Sequence, residues 1–427
     1  MFGVFTRSQP EGRRHRLAQL HLRLRARHAT RSLLTLAAAM AVAAALPLTA
    51  GASAAGAATS TIAWAQVAAG SQHTCGVSTV HTLWCWGNNG GGQLGIGSTA
   101  LSADLPQQVT TPAAAGWASV TAAGPAVGGS VTCAIRTDHT LWCWGDGALG
   151  TGTTFSQDLP QQVTTPSAGG WATVSAGTVH TCATRTDGTL WCWGNNFEGR
   201  LGIGNTRNES LPQQVTTPAA TGWAAVSAGG AHTCATRADG TLWCWGSNGN
   251  GRLGIGSTAP SADLPQQVIT PAATGWAAVA AGGTHTCATR TDSTLWCWGY
   301  NNSGQVGIGS TASSENLPQQ VTTPAATGWA AVSAGGFHAC AARTDGTLWC
   351  WGANYDGQLG IGSSGSKRLP QQVAKSATAP WATVSAGTFH TCATRTNRTL
   401  WCWGYNNSGQ LGIGNTTIQY RPQRITA

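Results

Sequence analysis

The stretch HTCATRTDGTLWCWG, His180–Gly194, sets two cysteines ten positions apart across an Asp-Gly turn and among tryptophans. The arrangement occurs seven times: Cys75 with Cys85, Cys133 with Cys143, Cys182 with Cys192, Cys234 with Cys244, Cys287 with Cys297, Cys340 with Cys350 and Cys392 with Cys402, which uses all 14 cysteines. A three-residue hairpin loop at Thr186-Asp187-Gly188, with Gly188 left-handed, makes Arg185 face Thr189 and Cys182 face Cys192. A two-residue loop would set Cys182 opposite Trp193 instead. Directly opposed Cα atoms lie ~4.5 to 5.5 Å apart, within reach of a disulfide, so each unit is expected to carry its own bridge.

Around this hairpin a longer unit recurs, from W-A-x-V-x-A-G to L-P-Q-Q-V-T-T-P. Its opening tryptophans are Trp64, Trp117, Trp171, Trp223, Trp276, Trp329 and Trp381, spaced 53, 54, 52, 53, 53 and 52. In the third unit, strands are expected at 171–176, 180–185 and 189–193, with a short fourth near 212–215 whose proline suits an edge. Four short antiparallel strands per unit is a propeller blade. The expected fold is all-β: a seven-bladed β-propeller of four-stranded antiparallel blades.

The formal charge is +9, but residues 1–31 hold eight arginines against Glu11, a net of +7, leaving +2 for the rest. That basic segment precedes the apolar run Leu33–Leu46 and small residues around Ala52-Ser53-Ala54, the order of a cleaved export signal. At 14 residues the run is short for a membrane span, which needs ~20. Residues 1–57 are therefore read as an export leader and 58–427 as the propeller, secreted, monomeric, and without a membrane span once the leader is removed. No nucleic-acid partner is expected, because the basicity leaves with the leader.

Export, an even count and the opposed register all favour oxidised cysteines. Reduced thiols would require the cytosol. A metal site is disfavoured, since His180 with its unit's two cysteines supplies only three ligands and no close Cys-x-x-Cys.

The segments A-G-x-x-H-T-C-A, L-W-C-W-G and G-x-N-x-x-G-Q-L-G resemble the repeats of the regulator of chromosome condensation family, whose fold is a seven-bladed propeller. The resemblance runs from Trp64 to the C-terminus. It implies a guanine-nucleotide exchange role on a small GTPase for nuclear members. The neutral, exported body and the paired cysteines look instead like a secreted bacterial branch of the family, in which one member inhibits β-lactamases through loops on one face. Exchange activity is not carried over to any residue here.

Several repeated features have structural readings. His73, His180, His232, His285, His338 and His390 occupy one position in the unit, with Val131 in the second copy. A catalytic set needs different groups converging on one spot, so these are expected to be hydrogen-bonded structural residues. The three tryptophans per unit, Trp171, Trp191 and Trp193 in the third, are expected to pack between blades. G-Q-L-G-I-G lacks the helix and lysine of a phosphate loop, and P-Q-Q is only a tripeptide. No cofactor is expected, and no nucleophile–base or paired-carboxylate set points to an enzyme.

The units disagree mainly at one end of the blade, where the first-to-second turn and the loop after the third strand lie. There the chain carries Val179, Phe197, Glu198, Tyr300, Phe337, Tyr355, Asp356, Phe389 and Tyr405. The opposite end repeats Asp138, Asp187, Asp239, Asp292 and Asp345, as expected where only turn geometry matters. Exposed aromatics among Asn, Ser and Gly suit an adaptable binding surface; neutral drift of loop positions is the competing reading. The second unit departs furthest, with extra residues Pro125–Gly129 and a shortened loop Asp146–Gly150. The leading expectation is a non-enzymatic scaffold that captures a protein through this face. A carbohydrate-binding propeller with Tyr300, Tyr355 and Tyr405 as stacking platforms, and an exchange-factor-like regulator, are the alternatives.

Overall fold

The structure, a computed structural model, describes residues 62–98, 100–123, 130–374 and 379–426. The leader at 1–57 and the Pro125–Gly129 insertion lie outside the described residues. The described chain forms seven four-stranded antiparallel sheets, each with its strands side by side in chain order. In the third blade these are Trp171–Ala176, His180–Arg185, Leu190–Gly194 and Glu209–Gln214. The third strand is thus displaced by one residue from expectation. The fourth begins three residues earlier, because Gly194 pairs with Glu209 while Cys192 pairs with Gln213. Pro212 sits in that irregularity, where its missing N–H costs no ladder bond.

The hairpin follows from local chemistry. Gly188 has φ 77°, and the Arg185 amide donates to the Thr189 carbonyl at 2.9 Å, which puts Cys182 opposite Cys192. Their Cα atoms are 4.1 Å apart, closer than expected, at the narrow end of the non-hydrogen-bonded type of pair. The other six hairpins repeat the register and the bridge. Cys75 is bonded to Cys85, Cys133 to Cys143 and Cys234 to Cys244, each across two neighbouring strands of one blade. Cys287 is likewise bonded to Cys297, Cys340 to Cys350 and Cys392 to Cys402. No described cysteine is left free, and no bridge joins two blades.

The hydrophobic cores lie between blades, not within them. One contains Cys182, Leu190, Cys192, Leu201 and Val215 of blade 3 with Trp223, Ala235 and Trp245 of blade 4. A one-layer sheet has two faces to cover, and only its neighbours can cover them. Each blade therefore presents its disulfide to the next blade's tryptophan pair, and the two rings meet edge to face, 5.9 Å apart for Trp223 and Trp245.

The repeated histidines connect the same seams. His180 Nε2 lies 2.8 Å from Thr233 Oγ1 of the next blade, and that hydroxyl donates to the Arg200 carbonyl at 2.8 Å. With the hydroxyl's proton committed, the imidazole donates from Nε2, and burial, which lowers its pKa to about 3, keeps it neutral. His73, His232, His338 and His390 reach Thr132, Thr286, Thr391 and Thr74 in the same manner. Two seams differ. Val131 cannot bond to blade 3, and His285 faces a blade carrying Ala339, so both of its ring nitrogens lack partners.

The ring closes without strand exchange, since blades 1 and 7 each contain four consecutive strands of their own. Trp64, Val67 and Trp86 pack on Cys392, Leu400, Cys402, Leu411 and Ile425. The Ala69 amide donates to Ser385 Oγ, and the Thr388 amide to the Gly70 carbonyl, at 2.9 and 3.1 Å. At the axis the innermost strands approach closely; a Cβ on Gly282 would stand 2.6 Å from the Gly335 carbonyl oxygen, which is why this corner of the unit is glycine.

Candidate binding face

The two ends of the ring are built differently. At the Asp-Gly end, Asp187 Oδ1 accepts from both the amide and the hydroxyl of Thr189, at 3.0 and 2.7 Å, and Trp191 Nε1–H donates to that hydroxyl at 2.9 Å. Arg185 stands 3.7 Å from Asp187 and lies over the Trp171 ring at 5.1 Å. The threonine bonds come first in holding the Asp187 carboxyl below its ordinary pKa. Blades 2, 4, 5 and 6 repeat the set. This end therefore repeats because a side-chain network joins turn, third strand and first strand, which is more than the turn geometry expected.

At the other end a backbone bond brings the variable positions together. The residue after Trp-Gly donates its N–H to the carbonyl of the residue before the histidine: Tyr405 to Phe389 at 3.0 Å, Ala353 to Phe337 at 2.9 Å, Asn195 to Val179 at 2.9 Å. Phe389 and Tyr405 consequently meet in a tilted contact, ring centroids 6.0 Å apart and planes at 60°. Tyr300 and Tyr405 are oriented by the side-chain amides of Asn302 and Asn407, which donate to their hydroxyls at 2.7 and 3.0 Å.

Five of the nine expected site residues converge. Tyr300 from blade 5, Phe337, Tyr355 and Asp356 from blade 6, and Phe389 from blade 7 line one cavity of about 300 Å³ with Ser303, Ala353 and Gln358. Tyr405 extends its wall through Phe389. Tyr355 is 68% exposed, so a partner would bury most of that ring. The Asp356 carboxyl stands above the usual carboxylate range because burial disfavours its charge.

The remaining three lie apart. Phe197 and Glu198 line neither this cavity nor the cleft at blades 2 and 3, and Glu198 is paired with Arg200 at 3.7 Å. Val179 lines a separate cleft of about 470 Å³ between blades 2 and 3, with Val131, Asp146, Ala148, Thr181 and Glu209. The shortened Asp146–Gly150 loop opens it: in other seams the tryptophan N–H finds a loop carbonyl, as Trp245 finds Arg200, but Trp193 Nε1 is buried without one. Asp146 and Glu209 were not singled out from the sequence, although the short loop and Val131 marked the place. Among the described residues no group of three or more His, Cys, Asp or Glu is arranged to hold a metal ion, and no helix is long and apolar enough to cross a membrane.

Comparison with known proteins agrees with this architecture. The RCC1-like domain matches residues 123–427, and the regulator of chromosome condensation (RCC1) repeat matches 81–135 and 64–93. The ultraviolet-B receptor UVR8 of Arabidopsis thaliana is 29% identical over 373 residues, 84% of this chain and 81% of the receptor. The probable E3 ubiquitin-protein ligase HERC6 of Homo sapiens is 30% identical over 288 residues, 66% of this chain but 27% of the ligase. Human WBSCR16 superposes with a TM-score of 0.69 at 21% identity, over 78% of this chain and 87% of that one. Prp20p from Saccharomyces cerevisiae, a protein described with binding properties to Gsp1p and histones, gives 0.66 at 20%, over 76% and 80%.

Proposed function

The chain belongs to the RCC1-like domain family, and from that premise we propose that it is an exported, non-enzymatic scaffold that captures a protein partner through the aromatic face of blades 5 to 7. The observation carrying this reading is the convergence of Tyr300, Phe337, Tyr355 and Phe389, from three blades, on one partly open cavity, while the tryptophans serve the seams. Aromatics are large, rigid and cheap to order, which makes them effective anchors when a partner buries them. Relatives support protein binding as the general role: Prp20p is described with protein ligands. The ligase activity in the name of HERC6 belongs to a protein of which this chain matches about a quarter, and it is not assigned here.

With the purified chain as bait for extracellular proteins, Tyr355→Ala with Tyr405→Ala should weaken capture about thirtyfold, the equivalent of ~2 kcal/mol. The melting temperature should hardly move, since loop rings contribute little to the seams. Asp187→Ala should leave capture intact. Sensitivity at the Asp-Gly end instead would overturn the assignment of the face, and binding to a glycan array without protein capture would favour the carbohydrate reading.

Export is part of the same proposal and rests on the basic, apolar and small-residue order of residues 1–57. N-terminal sequencing of protein from the medium should find a first residue between Ala54 and Thr59. Soluble cytoplasmic protein retaining Met1 would refute it.

A further inference from the structure

The cavity on blade 6 holds an acid that no described residue neutralises. The aspartates of the opposite end each have a threonine and an arginine, as in Asp345 with Thr347 and Arg343. Among the described residues the Asp356 carboxylate has neither a hydrogen-bond donor nor an ion pair, yet it lines a cavity walled by Tyr300, Phe337, Tyr355 and Phe389. The basic residues of the same blade's outer strand are not directed to it: Arg368 donates to the Ser310 carbonyl at 2.8 Å, and Lys367 forms no ion pair with it. A partly buried carboxylate beside aromatic rings loses some of its hydration, which a bound cation would offset, and burial raises its pKa. Ring faces themselves attract cations, most strongly when desolvated.

We propose that this cavity receives a lysine side chain of the captured protein, its methylenes against the four rings and its ammonium group on Asp356. The proposal rests on the reading of this face as a protein-binding surface. A cavity of about 300 Å³ is at the lower limit for small-molecule sites and suits one side chain. Lysine fits better than arginine: the Gln358 side-chain oxygen already accepts the Asp356 backbone N–H at 3.0 Å, so the carboxylate is left as one compact acceptor for a point charge, whereas a planar guanidinium carries five donors to satisfy. The long apolar stem of lysine covers aromatic surface while its head reaches the charge.

The probe is the blocked tripeptide acetyl-Gly-Lys-Gly-amide, titrated onto the purified chain by ligand-observed NMR. It should bind with a dissociation constant on the order of millimolar, as one anchored side chain supplies. Acetylating the lysine Nζ, or changing Asp356→Asn, should each weaken binding about tenfold or more, and Tyr355→Ala should also reduce it. Unchanged melting temperatures will show that both variants fold. Equal binding of the acetylated peptide, unaltered binding to Asp356→Asn, or no binding at roughly ten times the expected constant overturns the lysine proposal. Protein capture by the Tyr355→Ala, Tyr405→Ala variant is a separate readout. If capture is lost there while the peptide fails, the face stands and its ligand chemistry is wrong.

Discussion

Thermal stability should fall steeply as the pH is lowered from 6.5 to about 4.5, a decline that begins above the range in which carboxylates titrate. Six buried histidines are the cause. Desolvation lowers His73 and His285 to about 4, His180, His338 and His390 to about 3, and His232 well below 6.5. A base whose folded pKa is depressed favours the native state fully above its unfolded value, near 6.5. Below that value the unfolded chain takes up protons that the folded chain refuses, so stability drops as pH falls. Each histidine contributes about 1.4 kcal/mol per pH unit once the two states differ by a full proton, so the six approach ~8 kcal/mol per unit near pH 5. Domain stabilities of ~5 to 15 kcal/mol are exhausted within about two units at that slope. The aspartates of the opposite end act in a lower window, since their threonine-bonded carboxyls are depressed from 3.8 and lose stability only as pH falls through and below that range. Calorimetry at pH 7.5, 6.5, 5.5 and 4.5 reads this directly. A melting temperature flat from 6.5 to 4.5 would mean that the imidazoles protonate in place or are open to water.

Trp245→Ala should cost ~3 to 5 kcal/mol, the range for deleting a large aromatic from a core. Its ring is wholly buried, meets Trp223 edge to face and packs on the Cys182–Cys192 bridge of the preceding blade. A void there opens a seam, and no strand crosses between blades to hold it shut. The milder pair Trp245→Phe and Trp193→Phe separates packing from hydrogen bonding. Trp245 Nε1–H donates to the Arg200 carbonyl at 2.9 Å, whereas Trp193 Nε1–H has no acceptor beside the shortened loop of blade 2. Phenylalanine should therefore cost about 1 kcal/mol less at 193 than at 245. Urea unfolding of the two variants decides it; equal losses would show that the indole bond contributes nothing net to the seam.

Three levels of this protein were legible in the sequence to different depths. The hairpin around Thr186-Asp187-Gly188 was fully legible, because a turn's length sets its register and the register sets Cys182 against Cys192 within fifteen residues of chain. The blade followed from four such local segments, and the ring from their sevenfold recurrence. The division into a uniform end and a variable end followed too, since antiparallel strands return alternate turns to the same side. The start of the fourth strand was missed because the bulge that admits Pro212 depends on how Glu209 pairs with Gly194, a contact across a long loop.

What the tertiary structure alone decided lies across the seams. Histidine and its threonine partner are more than fifty residues apart, His180 and Thr233 for example, and nothing local says that the imidazole looks to the next blade. The same holds for closure of blade 7 on blade 1 without strand exchange. It holds most for the candidate site. Tyr300, Tyr355 and Phe389 share a cavity while Phe197, equally aromatic and equally placed in its loop, does not. A repeat states which positions in a unit are variable, but only the ring sets them beside one another: Tyr355 has Tyr300 and Phe389 in the adjoining blades, where the equivalent Phe197 has Asp146 and Ala231.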